Sequence, residues 1–199
     1  MNTELTKDLA FMYEIGCLRH LQRAWGQFYG HDFASPTEHI YRVIWLALLI
    51  AKHEGVENTE KIMKMALVHD IPESRAGDVH ILSRMYVERK EEEALEDMLQ
   101  GTAVAEEFIQ IWHEYEARET IEAKIVKDAD NLDIDLELQE QEHLGSTIKK
   151  AKEEARRQVY ETKLYTETAK KLWEQIQESN PHDWYMKGKN RLTAGDWKK

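Results

Sequence analysis

Four side chains suited to a divalent cation are scattered along this sequence: His39, the adjacent pair His69 and Asp70, and Asp130. Two imidazoles and two carboxylates fit a hard to borderline ion and leave coordination positions for water and substrate oxygens, the arrangement a hydrolytic metal site needs. The His-Asp dipeptide selects nothing by itself, because it occurs at His31-Asp32, His69-Asp70 and His182-Asp183. The elements around each pair have to separate them.

Ser35-Pro36-Thr37-Glu38 reads as a helix start, with an N-cap hydroxyl, a proline at the first helical position and a glutamate at the third. His39 then lies in the first turn. Val43, Leu46 and Ile50 follow it at helical spacing, so its face should pack inward. By residue type alone, a histidine there is more often a hydrogen-bonded core residue than a ligand. The stretch Met63 to Val68, apolar but for Lys64, leads into His69-Asp70-Ile71-Pro72, and the proline disfavours helical backbone at Ile71. His69 and Asp70 are thereby placed at a helix C-terminus, where unsatisfied carbonyls favour a nearby cation. His31-Asp32 and His182-Asp183 end no apolar helix and read as loop residues.

Glu73 and Asp78 follow the central pair. Carboxylates there could orient a water, accept its proton or serve a leaving oxygen, or could cap the next turn. Lys127-Asp128-Ala129-Asp130-Asn131-Leu132-Asp133 offers several acids, and spacing does not decide which faces inward. A solvated acidic face is its default reading. Glu38 is explained by capping, Arg42 would meet phosphate or an acidic side chain, and the lone cysteine, Cys17, reads as a small core residue.

Helix formers fill the chain between three prolines and nine glycines, and no segment alternates like a half-buried strand. The spacing predicts an all-α, single compact helical bundle over residues 1–180, with a C-terminal tail over 181–199 that is loose or packs through its aromatics. Leu5, Leu9, Met12 and Leu18 mark a first amphipathic segment. Further helices are expected over roughly 84–100, 103–118, 119–142 and 146–178.

At 199 residues and 42% hydrophobic content the chain can bury one sizeable core. Its net charge of −11 argues against nucleic-acid polymers, which are held mainly by Lys and Arg, yet leaves room for a small phosphorylated ligand beside a cation. The longest wholly apolar run, Val43 to Ala51, is too short for a bilayer. With one cysteine and no secretory pattern at the N-terminus, a cytoplasmic protein without membrane partners is expected.

The ordered set His39, His69-Asp70-Ile71-Pro72-Glu73, Gly77-Asp78 and Glu122 to Asp130 resembles the HD-domain metal-dependent phosphohydrolases, most nearly their 5'-deoxynucleotidase branch. Arg23, Trp25, the Glu38 to Arg42 string and Trp112 to Tyr115 extend the likeness. The resemblance implies an all-helical HD domain in which His39, His69, Asp70 and Asp130 hold one divalent metal (Co, Mn, Mg, Zn or Fe). It implies hydrolysis of (deoxy)nucleoside 5'-monophosphates by a positioned water. Glu73 would orient or activate that water, Asp78 would serve the leaving 5'-oxygen, Arg23 would clamp phosphate, and Trp25 would wall sugar or base. A homodimer is implied as well. The spacing Arg23-Ala24-Trp25 departs from the adjacent pair common in bacterial members, which bears on deoxyribose selectivity. Two alternatives stand beside this one: turnover of another nucleotide (a triphosphate, an alarmone or a cyclic nucleotide), and a non-catalytic metal- or nucleotide-binding module.

Overall fold

The computed structural model describes residues 3–29 and 33–188, and its described residues contain helices and no strand. In chain order the helices are α1 (Thr3–Gly16), α2 (Gly26–Tyr29), α3 (Pro36–Glu54), α4 (Thr59–Val68), α5 (Glu73–Ala76) and α6 (Glu91–Leu99). They are followed by α7 (Ala105–Ala117), α8 (Ile121–His143), α9 (Ile148–Thr162), α10 (Glu167–Glu178) and α11 (Asp183–Met186), with 3-10 turns at Cys17–His20 and Ser83–Met85. His31-Asp32 and Trp197 lie outside the described residues.

The start of α3 is the expected capping box. The Ser35 hydroxyl accepts from the Glu38 amide, and the Glu38 carboxylate accepts from the Ser35 amide. The helix presents Val43, Leu46, Ala47, Ile50 and Ala51 to a core shared with Ile62, Met65 and Ala66 of α4 and with Ala123, Ile125, Val126, Ala129 and Leu132 of α8. Burial of these apolar side chains, rather than helix propensity, fixes the three long axes against one another. A second cluster, including Leu18, Ile40, Val68, Ile71, Leu95, Leu99 and Trp112, seats the Cys17–His20 turn, α6 and α7 around the end of α4. Trp112 Nε1 donates to the His69 carbonyl at 3.3 Å, satisfying one of the carbonyls that a helix end leaves unpaired.

α8 corrects the expectation of a solvated acidic face: Asp128, Asp130, Asp133 and Asp135 are all buried. Each has its own partners. Asp128 accepts from the Tyr165 and Thr166 amides and the Thr166 hydroxyl, at 2.7 to 2.8 Å, and Asp135 pairs with Arg156. The Asp128 bonds also account for a second correction. The single helix expected over 146–178 is two, because the amides of Tyr165 and Thr166 turn to Asp128 and Thr166 caps α10.

Three more expectations fail. Over 84–100, only Glu91–Leu99 forms an α-helix. On α1, Leu5, Leu9 and Met12 face outward, and it is Phe11 and Ile15 that pack against the core; apolar spacing locates a stripe without saying whether anything covers it. Cys17 is exposed, not a core residue. In the C-terminal stretch, Trp184 of α11 is exposed and the Tyr185 hydroxyl lies 2.7 Å from His182 Nδ1.

Candidate active site

α3, the end of α4 and the middle of α8 converge on one point. One donor atom from each of His39, His69, Asp70 and Asp130 lies within 4.8 Å of all the others. The two Nε2 atoms are 3.4 Å apart, Asp70 Oδ2 is 3.4 Å from both, and Asp130 Oδ1 is 3.2 Å from His39 Nε2. On the outer side, His39 Nδ1 lies 2.6 Å from Asp133 Oδ2 and His69 Nδ1 lies 2.7 Å from the Ala66 carbonyl. Those acceptors hold a proton on each Nδ1 and turn each Nε2 inward, the orientation that metal-binding histidines require.

The electrostatics of this ring fit a cation. Burial opposes charging His39, but Asp130, Asp133 and Asp70 outweigh it, so its pKa sits well above the ordinary histidine range. Burial likewise opposes ionising Asp70 and Asp130. It is overcome by His69 and His39 at the first and by Lys127 and His39 at the second, and both carboxylates stay ionised. In the metal-free chain a proton on His39 therefore supplies the positive charge that two imidazoles and two carboxylates would otherwise take from a divalent ion. Asp130 divides its oxygens. Oδ1 faces the ring, while Oδ2 accepts from Lys127 Nζ at 2.6 Å and lies 3.5 Å from the Tyr115 hydroxyl, which suits one-oxygen coordination.

Sequence reasoning missed Asp133. It is 1% exposed and also accepts from Arg42 Nε, while Arg42 Nη1 reaches Glu140 Oε1 at 2.7 Å. Arg42 thus bridges acidic side chains, one of its two expected uses. The available signal was the spacing of Asp130 and Asp133, three apart on one helix and so side by side. A second grouping, Glu92, Glu96 and His113, lies among exposed residues.

Beside the ring lies a cavity of about 510 Å³, lined by Arg23, Trp25, His69, Asp70, Glu73, Asp78 and Asp130 among others. Every residue expected to act on substrate borders it. Its wall carries eight lysines and arginines against six carboxylates, reversing the balance of a chain whose net charge is −11. That local excess favours an anion. Gly77 shapes the wall: its φ of 75° and ψ of 151° are open only to glycine, and Asp78 follows directly. Asp78 Oδ2 accepts from the Ala24 amide at 3.1 Å and lies 3.1 Å from Arg23 Nε, pinning the loop that carries Arg23 and Trp25.

Arg23 is buried in acidic surroundings. Burial disfavours its charge, yet Asp78, Asp70, Glu73 and Asp130 together keep it charged. Its Nη1 has no hydrogen-bond partner, and its approach to Asp78 lacks hydrogen-bond direction at Nε. Glu73 is 5% exposed with Oε2 unpartnered, and burial followed by Asp70 and Asp78 pushes its pKa up to about 9. Arg89 Nη1 stands 3.9 Å from Glu73 Oε1 and 2.7 Å from Glu91. Trp25 is half-buried, 6.0 Å from the Phe33 ring, with Lys152 Nζ 5.2 Å above its face. Charged acceptors, a buried guanidinium with a free Nη1 and a buried carboxyl with a free Oε2 thus share one cavity.

Comparison with known proteins points the same way. The family model for the HD domain matches residues 15–178. The 5'-deoxynucleotidase HDDC2 of Danio rerio is 34% identical over 143 residues, covering 68% of this chain and 70% of the relative. The protein of the same name from Homo sapiens is 31% identical, with coverage of 68% and 69%. Among solved structures, a "predicted metal-dependent phosphohydrolase" from Magnetospirillum magnetotacticum MS-1 superposes with a TM-score of 0.67 at 25% identity, over 89% of this chain and 97% of that one. A conserved hypothetical protein from Pyrococcus furiosus gives 0.68 at 26% identity, over 86% and 99%.

Proposed function

We propose, from the premise that this chain belongs to the HD-domain family, that it is a metal-dependent phosphomonoesterase releasing phosphate from deoxynucleoside 5'-monophosphates. The observation that carries this reading is the cavity beside the four-donor ring, lined by His69, Asp70 and Asp130 of that ring, by Arg23 with its free Nη1 and by the buried Glu73 carboxyl. The curated relatives named as 5'-deoxynucleotidases support the substrate class.

In this reading His39, His69, Asp70 and Asp130 hold one divalent ion. The two imidazoles favour Mn, Fe, Co or Zn over Mg. When bound, the ion would polarise a phosphoryl oxygen and lower the charge barrier to attack at phosphorus. Arg23 donates its free Nη1–H to phosphate, a charge-assisted bond that also orients the group. Glu73, whose Oε2 has no other partner, would hold the attacking water, and would take its proton once the charge of the bound ion has driven off the proton that Glu73 keeps in the metal-free chain. Asp78 fixes Ala24 and Arg23 and would relay a proton from solvent to the leaving 5'-oxygen, so that the nucleoside leaves as an alcohol and the proton taken by Glu73 returns to water. Trp25 walls the sugar or base.

Residues 1–180 form the catalytic domain and 181–199 a tail, in a cytoplasmic homodimer. Tyr41, Trp45 and Leu49 form an exposed apolar stripe on α3 that supports self-association. No described helix is long and apolar enough to cross a membrane. The activity is tested with a panel of ribo- and deoxynucleoside 5'-monophosphates, triphosphates and cyclic nucleotides on metal-loaded protein. Phosphate release from a deoxynucleoside monophosphate is expected; turnover confined to triphosphates or diesters would overturn the assignment. Sedimentation of the full chain should give twice the monomer mass, and a monomer at micromolar concentration would remove the dimer.

A further inference from the structure

Buried polar atoms without a partner are concentrated in one place. Among the described residues they belong to Arg23, Glu73, Arg118 and Trp173, and the first three line the cavity beside the metal ring. Arg23 and Glu73 have roles in the proposed reaction. Arg118 has none.

Arg118 is also the one non-glycine residue of the described chain with a positive φ, 55°, and it ends α7. Left-handed backbone disfavours a residue with a Cβ, which is why glycine commonly takes this position. α3 ends in that way, on Gly55. The arginine at the end of α7 therefore holds an unfavourable conformation, and its side chain lies where that conformation puts it. The guanidinium carbon is 3.3 Å from the centroid of the Tyr115 ring, Nη2 is 3.2 Å from Glu116 Oε1, and Nη1 is enclosed without an acceptor. Tyr115 in turn packs edge-on to the His69 ring at 5.6 Å and has its hydroxyl 3.5 Å from Asp130 Oδ2. Arg118 is thus one aromatic ring away from the metal ring. Stacking on that ring uses the face of the guanidinium, Glu116 takes Nη2, and Nη1 is left for one acceptor oxygen.

We infer that Arg118 is a substrate-binding residue, donating its Nη1–H to an oxygen of the bound nucleotide. The acceptor chemistry is shared by a phosphoryl oxygen and a base carbonyl, and the test separates them. The inference rests on the nucleotidase reading above. A merely structural arginine would have closed its Nη1 on a protein carbonyl or carboxylate, and would gain nothing from the left-handed backbone.

The test uses the metal-loaded full chain with Arg118→Gly and Arg118→Lys. Glycine relieves the backbone at this position, so Tm should stay equal or rise while KM for a deoxynucleoside 5'-monophosphate rises by about tenfold or more, with kcat changed by less than about threefold. Lysine, with charge but no fork, should fall between. Calorimetric titration with inorganic phosphate and with the unphosphorylated deoxynucleoside identifies the end that Arg118 reaches, as the probe whose affinity weakens in Arg118→Gly. Unchanged KM with unchanged affinity for both probes would overturn the inference, as would a fall in Tm with no change in KM. Failure of the wild-type chain on every 5'-monophosphate would instead sink the proposed function. The two titrations would then decide the Arg118 contact alone: weaker binding of a probe would uphold it, and unchanged binding of both would overturn it.

Discussion

The two ends of the active-site cavity are built differently. At the metal end the donors come from α3, α8 and the end of α4, and three of the four have an outer partner: Asp133 behind His39, the Ala66 carbonyl behind His69, Lys127 beside Asp130. At the substrate end Arg23 and Trp25 lie in the irregular stretch before α2, Asp78 follows a glycine-only turn, and Arg23, Glu73 and Arg118 keep polar atoms unpaired. The first end is satisfied and held for an ion. The second holds unmet hydrogen-bonding capacity, which a substrate can meet.

Breaking the metal end should have the largest effect. Asp70→Ala should lose the bound ion and reduce turnover by about a thousandfold or more, read by metal analysis beside a phosphate-release assay; full activity in this variant would show that the ring is not the catalytic centre. Glu73→Gln probes the junction of the two ends. It should keep the ion yet lose roughly a hundredfold to ten-thousandfold in kcat, and unchanged turnover would remove Glu73 from the water's chemistry.

Asp133→Asn tests whether the outer partner matters, because it keeps the shape and removes the charge behind His39. Metal affinity or activity should fall about tenfold to a hundredfold, and Tm should fall as well because Arg42 and His39 lose a buried charged partner. A variant indistinguishable from wild type would mean that His39 is oriented by packing alone.

The last effect concerns pH and is read in stability, not turnover. In the metal-free chain Glu73 has its pKa raised from 4.5 to about 9, first by burial and then by Asp70 and Asp78. Between those values the folded chain keeps a proton that the unfolded chain has lost, so stability falls as pH rises, by at most about 1.4 kcal/mol per unit for each such proton. His39, also raised, acts in the same direction above the ordinary histidine range. Tm of metal-stripped protein should decline from pH 5 to pH 9, and Glu73→Gln should flatten the decline. An equal slope in the variant would place the titration elsewhere.

The same contrast explains what could be read from residue order. The helix carrying His39 was legible because Ser35-Pro36-Thr37-Glu38 is a local signal, and the end of α4 because Pro72 stops it. Asp130 could not be chosen from its neighbours by spacing, since α8 buries acids around its circumference and pairs each through residues far along the chain. Nor did the break at Lys163 carry a strong helix-stopping residue; Asp128, 37 residues upstream of Tyr165, makes it. Arg118 was invisible for a related reason, because a left-handed arginine is an exception to the glycine rule that sequence reading relies on.

The central claim is that one divalent ion held by His39, His69, Asp70 and Asp130 enables the chemistry. Metal-stripped wild-type protein titrated with Mn²⁺ or Co²⁺, with deoxynucleoside monophosphate hydrolysis followed at each addition, tests it most directly. The account predicts no turnover at the start and a plateau at one ion per chain. Robust turnover before any metal is added, or a rise that continues to two ions per chain, would contradict it.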